Sequence, residues 1–339
     1  MRQGVEILPV FYRLKYLNMK KLKIAVIDTA LNIESLPKKI QNKVELKNYF
    51  NCNNTALHSS MVINTLLKYT DANLIEKIYL YNIFGKDNKG SGIAVISALE
   101  SIIIKNDIDF LIMSMTLTNK DRYKYIEKLC NKITSLGITI IAADSNKFTE
   151  NKCYPFSFDC VYGVSQGMFS ENPFFYTVDI KKKHIIGDAT PEFVYCGNNT
   201  YFLFGGTSKA VPKFLAAIIN DFSKEEEINC EKIEEWVKNN SLSAEDNTIL
   251  CLKENYSVPS YSTEIYDTLC RYIDECSIDI RKYGEISPSF HLEKLESHDL
   301  VVFIVYIMER FNIKSSLDDI RYTDFVNLGS LCAYIGGQL

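Results

Sequence analysis

Short apolar runs rich in β-branched residues alternate with helix-period patterns through roughly the first two thirds of the chain. The runs fall at 23–27 (KIAVI), 78–82 (IYLYN), 109–113 (DFLIM), 138–142 (ITIIA) and 160–164 (CVYGV), with helix-period segments at 58–69, 91–105 and 122–136. A strand whose consecutive side chains are apolar has both faces buried. Helices between such strands carry the chain back so that the next strand runs in the same direction. The pattern therefore predicts an α/β fold built on a mostly parallel sheet.

The periodicity changes further on. After Ser208 the stretch KAVPKFLAAIINDF is apolar around much of its circumference and predicts a buried helix. The acidic, polar segment 223–247 holds one more amphipathic helix, centred on Trp236. Residues 253–262 (KENYSVPSYS) read as a linker, polar with a proline and several serines. From there on, helix patterns at 264–276, 297–311 and 328–335 follow one another without strands and predict a small all-α helical bundle. The expected division is an N-terminal extension at 1–19, an α/β domain at 20–252, the linker at 253–262 and the helical domain at 263–339.

Composition narrows the function classes. A hydrophobic fraction of 47% and a charged fraction of 24% in 339 residues describe an ordinary globular chain. With a net charge of -4 and no basic patch interleaved with aromatics, nucleic acid is not an expected partner. No apolar run is long enough to span a bilayer, and the first residues lack a signal-peptide pattern. The ten cysteines show no CxxC pair and no ligand spacing with the four histidines, so no metal is expected. These features predict a cytoplasmic location with reduced thiols. Asp87–Gly90 (DNKG) supplies too few oxygens for calcium and reads as a polar turn.

Three residues have the chemistry of an activated serine, which needs a nucleophile, an imidazole to take its proton and a carboxylate to hold that imidazole. Asp28 ends the first buried run in AVIDTA, His58 opens a helix in LHSSMVINTLL, and Ser208 stands between a glycine turn and a buried helix in GGTSKAVPKF. A serine at a helix N-terminus lies among amides with no intrahelical acceptor, beside the positive end of the dipole; both favour an oxyanion. Asn146, beyond the run ITIIAADS, is placed to add a side-chain donor. All four fall at strand carboxyl ends or helix starts, where open α/β sheets carry their sites.

The order Asp, His, Asn, Ser and the residues around each resemble the subtilisin-like (S8) serine peptidases. The strand-ending Asp-Ser/Thr-Gly of that family is matched by Asp28-Thr29-Ala30, and its His-Gly-Thr-His-Val-Ala-Gly by His58-Ser59-Ser60-Met61-Val62-Ile63-Asn64. AADSN at 142–146 is similar to its Ala-Ala-Gly-Asn, and GTSKAVP at 206–212 to its Gly-Thr-Ser-Met-Ala-x-Pro. The proline-containing segment 153–164 matches a further loop and strand, and the likeness spans about residues 20–222. It implies a subtilisin-like three-layer α/β/α domain, with Ser208 as nucleophile, His58 as general base and Asp28 as its orienting carboxylate. It also implies an oxyanion hole from Asn146 and the Ser208 amide, and a substrate pocket flanked by Ser114, Met115 and Thr116 on one side and Ala142, Ala143 and Asp144 on the other. Ala30, Ser59 and Ser145 replace family glycines, Met61 replaces a histidine, and Lys209 follows the nucleophile. A signal peptide and a folding pro-segment, which secreted members carry, are not expected with some twenty residues before the first strand.

Residues 263–339 resemble acyl carrier proteins more distantly. Glu296-Ser297-His298-Asp299 stands where that family has Asp-Ser-Leu at the start of a helix, and the last segment, DFVNLGSLCAYI, is like its final helix. The resemblance implies phosphopantetheine on Ser297; a helix-capping serine is the plainer reading. A peptidase joined to a carrier-like unit is similar to peptidases of bacterial pathways that mature ribosomally made, modified peptides. The expected substrate is a precursor peptide whose leader is removed or trimmed, with modifying enzymes of the same pathway as further partners. The alternatives are a peptide-binding scaffold without activity and an acyl transfer from Ser208 to a thiol on the second domain.

Overall fold

The computed structural model describes residues 20–50, 57–85, 90–117, 122–145, 153–167, 175–179, 181–198, 200–222, 228–243 and 258–339. Strands β1 (Leu22–Asp28), β2 (Val44–Asn48), β3 (Ile75–Asn82), β4 (Phe110–Met113), β5 (Thr139–Ala143), β6 (Tyr162–Gly167), β7 (Phe175–Asp179) and β8 (His184–Asp188) form one sheet with a short β11 (Leu242–Ser243). Its order is β11-β7-β8-β6-β5-β4-β1-β3-β2. Every pairing from β2 to β6 and on to β8 is parallel, and β7 lies antiparallel against β8. The anticipated mostly parallel sheet is present, and its five foreseen strands are β1, β3, β4, β5 and β6. The two-residue alternation of a strand sorts β1 into two layers. Ile24 and Val26 face one side, with helices α1 (His58–Tyr69) and α4 (Thr207–Phe222). Ala25 and Ile27 face the other, with α2 (Gly92–Lys105) and α3 (Tyr123–Ser135).

β1 lies between β3 and β4 near the middle of the sheet, and its last residue, Asp28, is 1% exposed. Helix α1 begins at His58, whose ring lies on Asp28, and so starts at the carboxyl end of this central strand. β2 is an edge strand with mostly exposed side chains, which explains why no apolar run announced it. Helix α5 (Cys230–Asn240), around Trp236, covers the α4 side through Ile233 and Val237.

A separate antiparallel hairpin pairs β9 (Glu192–Tyr195) with β10 (Tyr201–Phe204) and leads directly into α4. Residues 258–339 contain α6 (Thr263–Glu275), α7 (Ser297–Arg310) and α8 (Leu328–Gln338), joined by the segments 276–296 and 311–327, which hold 3-10 turns and a one-turn helix at Tyr322–Phe325. Their apolar residues, Leu269, Phe303, Ile307, Phe325 and Leu331 among them, form a third cluster. Phe193 of β9 belongs to that same cluster, fully buried and 4.9 Å ring to ring from Phe325. Burial of such a side chain contributes about 2–3 kcal/mol.

Among the described residues no helix is long and apolar enough to cross a membrane. Residues 1–19 and 253–257, parts of the expected extension and linker, lie outside the described ones, as do 87–89 of the polar turn.

Candidate active site

Asp28 leaves β1 with its carboxylate buried, and the imidazole of His58 sits on it, Nδ1 at 2.8 Å from Oδ1 and 3.0 Å from Oδ2. Since an ionised carboxylate only accepts, Nδ1 carries the proton and donates, leaving Nε2 as the ring's acceptor. The Thr29 amide donates to Asp28 Oδ1 at 2.6 Å and so fixes the carboxylate's rotation. Burial of His58 opposes its charged form, but the Asp28 charge and hydrogen bond outweigh it and raise the pKa above the ordinary 6.5. The native pKa exceeds the unfolded one, so the pair's contribution to stability is complete below the unfolded pKa. It is lost as pH rises through the native pKa.

The turn after Asp28 and the head of α1 are tied together by side chains. Ser59 Oγ donates to the Ala30 carbonyl at 2.6 Å, and the Ser59 amide donates to Thr29 Oγ1 at 3.1 Å. Ser59 is one of the residues standing where the resembled family has glycine. Ala30, Ser59 and Ser145 are all absent from the positive-φ positions of the described chain. None of the three substitutions strains the backbone, and Ser59 adds a buried bond. Met61 packs beside the α1–α4 core.

Ser208 is the second residue of α4, half-buried, and α4 packs along α1, whose first residue is His58. Gly206 makes the turn into α4 with φ of 74°, a left-handed conformation open to glycine without a steric penalty. A Cβ on the preceding Gly205 would come within 3.1 Å of the Ala189 carbonyl and of Pro191. The Gly206 carbonyl accepts from the Lys209 and Ala210 amides, both at 3.1 Å, and starts the helix. Phe204, four residues before Ser208, presents its ring edge-on to His58 at 5.8 Å.

Lys209 points away from solvent, 1% exposed, into a cluster of charges. Its Nζ donates to the Thr190 carbonyl and lies 3.5 Å from Asp188 and 3.6 Å from Glu192. Lys213 pairs with Asp188, while Lys68 and the Tyr69 hydroxyl of α1 reach Glu192. Burial pushes the Lys209 pKa down against the pull of the two acids. Burial also opposes the Asp188 anion, but Lys209 and Lys213 together hold its pKa below the usual 3.8. The residue type of Lys209 drew notice in the sequence, but its acidic partners at 188 and 192 did not. Two lysines four residues apart, Lys209 and Lys213, in an otherwise apolar helix are the signal that announces such acids.

The residues expected to flank a substrate pocket lie at adjoining strand ends. Ser114, Met115 and Thr116 follow β4; Leu117 then bridges to Tyr154 through its amide, which donates to the Tyr154 carbonyl at 2.8 Å. Ala142 and Ala143 are inside β5, buried in opposite apolar layers. Asp144 is half-buried; its carbonyl accepts from Thr207 Oγ1 at 2.9 Å and ties the β5 exit to the head of α4. Its carboxylate accepts from Ser165 Oγ at 2.9 Å, and that hydroxyl also lies 2.7 Å from His184 Nε2. Burial lowers the His184 pKa despite the nearby Asp144 charge. Asn146, the expected oxyanion donor, lies outside the described residues.

Ser297 begins α7, but its hydroxyl caps no amide of its own helix. It accepts instead from the Leu203 amide of β10 at 3.0 Å. The oxygen to which a phosphopantetheine arm would attach is therefore engaged with the hairpin, on a half-buried side chain.

No family model matches the chain, and no curated protein sequence does. Solved structures do. A lanthipeptide protease superposes with a TM-score of 0.54 at 15% identity, covering 68% of this chain and 84% of that one. Sphericase matches with a TM-score of 0.51 at 13% identity over 70% and 91% of the two chains. The prenylagaramide maturation protease PagA matches with a TM-score of 0.50 at 16% identity over 72% and 94%. At such identities the likeness concerns the backbone: this chain shares its α/β fold with these proteases.

Proposed function

We propose that the protein is a serine endopeptidase of subtilisin type that removes the leader from, or trims, a ribosomally made precursor peptide. The observation that carries the reading is the Asp28–His58 pair at the carboxyl end of β1, with His58 opening a helix packed along the one that holds Ser208 in its first turn. Asp28 holds Nδ1, so Nε2 is left to take the Ser208 proton as Oγ attacks the scissile carbonyl; the same proton then goes to the leaving amine. The Ser208 amide, among the first of α4, and the Asn146 side chain would receive the oxyanion. The maturation proteases among the structural neighbours support a precursor peptide as substrate, and enzymes that modify that peptide would be further partners.

The reading of an inactive peptide-binding scaffold drew on the three replaced glycines, and none of them occupies a left-handed backbone position. The helical region enters the proposal as part of the peptidase rather than as a carrier. A mass gain on Ser297 after incubation with a phosphopantetheinyl transferase and coenzyme A would support the carrier reading, and no gain would exclude it.

Labelling by a fluorophosphonate probe tests the central claim, because such reagents need a serine with a working base and oxyanion site. Wild-type protein should be labelled, and Ser208→Ala should lose labelling by on the order of 10⁴-fold or more. Wild type and Ser208→Ala behaving alike would overturn the proposal. Incubation with candidate precursor peptides, read by mass spectrometry, then locates the cleavage site.

A further inference from the structure

The hairpin β9–β10 is a layer shared by two cores. Alternate residues of β10 go opposite ways: Phe202 and Phe204 join the α1–α4 cluster, while Tyr201 and Leu203 pack on the cluster of residues 258–339. β9 does the same, with Val194 in the first cluster and Phe193 in the second. Period-two alternation makes such a strand a partition rather than a surface. The polar contacts follow the same division. Ser297 accepts the Leu203 amide, and the Tyr201 hydroxyl donates to Asp318 at 3.2 Å. Lys68 lies 3.3 Å from Glu192 and 3.9 Å from Asp318, so the charge cluster under Lys209 continues into the C-terminal region.

The position of the hairpin in the chain gives this arrangement its consequence. Phe204, its last residue, touches the His58 ring, and only Gly205, Gly206 and Thr207 separate it from Ser208. Leu203, whose amide Ser297 holds, is five residues before the nucleophile.

We infer that residues 258–339 set the position of the nucleophile, with Ser297 acting as a positioning residue through the Leu203 amide and the hairpin. Ser297 touches neither substrate nor the reacting atoms; it fixes the strand that delivers Ser208. Small displacements of a positioned group cost rate steeply, because the reacting atoms must meet at near-contact distance and in line. The catalytic consequence rests on the peptidase reading, whereas the mechanical one does not.

Two measurements on the full chain separate them. The first is fluorophosphonate labelling resolved into the maximal inactivation rate and the probe's half-saturating concentration, for wild type, Ser297→Ala and Ser297→Thr. Ser297→Ala should lower the maximal rate by about tenfold with half-saturation unchanged, and Ser297→Thr, which keeps an acceptor hydroxyl, should restore it. A merely structural serine would instead lose active protein in step with the folded fraction, measured by thermal melting. The second is backbone hydrogen exchange over 200–210, which should quicken by about tenfold in Ser297→Ala but not in Ser297→Thr. Unaltered exchange, or unaltered labelling in a labelled wild type, overturns the inference. A wild type that takes no label sinks the peptidase reading, and exchange alone then decides whether Ser297 holds the hairpin.

Discussion

The two helices that carry the candidate base and nucleophile are anchored by different physics. His58 is held by residues close in sequence: Asp28, Thr29 and Ala30 lie about thirty residues upstream and bind it and Ser59 through short hydrogen bonds. The head of α4 is held from far away. Thr207 binds the β5 exit 63 residues back, Lys209 is buried against acids around the β8–β9 turn, and the preceding hairpin is gripped by Ser297, 94 residues beyond Leu203. The base side is a compact loop closed by neutral and singly charged bonds. The nucleophile side depends on a buried multi-charge cluster and on a second region of the chain. Buried charges are costly unless every member is paired, so the nucleophile side should tolerate substitution less well.

The largest effect should come from the carboxylate that orients the base. Asp28→Asn should cut fluorophosphonate labelling on the order of 10⁴-fold while leaving the fold intact, because the imidazole loses its tautomer and charge partner. Labelling of wild type requires neutral His58, so its rate should climb with pH to a plateau, with a midpoint above 6.5. In Asp28→Asn, burial no longer meets an opposing charge, and the midpoint of the residual rate should fall below that value. An acid limb that stays put in Asp28→Asn would show that another group titrates.

Next in size is the charge cluster. Lys209→Met, the residue the resembled motif carries, should destabilise the protein by about 3 kcal/mol in urea melts, since it strands buried acids. Glu192 Oε1 already has no hydrogen-bond partner among the described residues, and Lys209 is its neighbouring cation. Adding Glu192→Gln should recover part of that loss. No loss in Lys209→Met would mean that Lys68 and Lys213 suffice to neutralise the cluster. The smallest effect is expected at Ser59→Ala, which removes one buried hydroxyl bond and leaves the Ala30 carbonyl with only the longer bond from Thr29 Oγ1 at 3.3 Å. It should destabilise by about 1 kcal/mol and lower labelling less than Lys209→Met does. A larger loss at 59 than at 209 would invert the comparison.

The same contrast governs what was legible in the residues. Buried central strands announce themselves because both faces must be apolar, and β1, β3, β4, β5 and β6 were all foreseen. β2 escaped notice because an edge strand keeps polar faces, whereas the four-residue runs of the β9–β10 hairpin, apolar on both faces like the central strands, carry no sign of which core each face serves. Asp28, His58 and Ser208 stood out by chemistry and order, and the structure pairs the first two directly. The capping role offered for Ser297 was displaced by a partner 94 residues away. Asp188 and Glu192 passed without notice, since nothing local says that a lysine about twenty residues on will be buried between them.

Taken by itself, the sequence determined the parallel sheet, the helices on its faces and the helices that follow, along with the three residues suited to serine chemistry. Periodicity and residue type suffice for these because burial acts on each element separately. Only the tertiary structure decided that Asp28 orients His58, that Lys209 is neutralised by Asp188 and Glu192, and that residues 258–339 share a hairpin with the candidate site. The reason is that hydrogen bonds and ion pairs between distant segments depend on distances of a few ångströms, and those exist only once the sheet has brought the segments together.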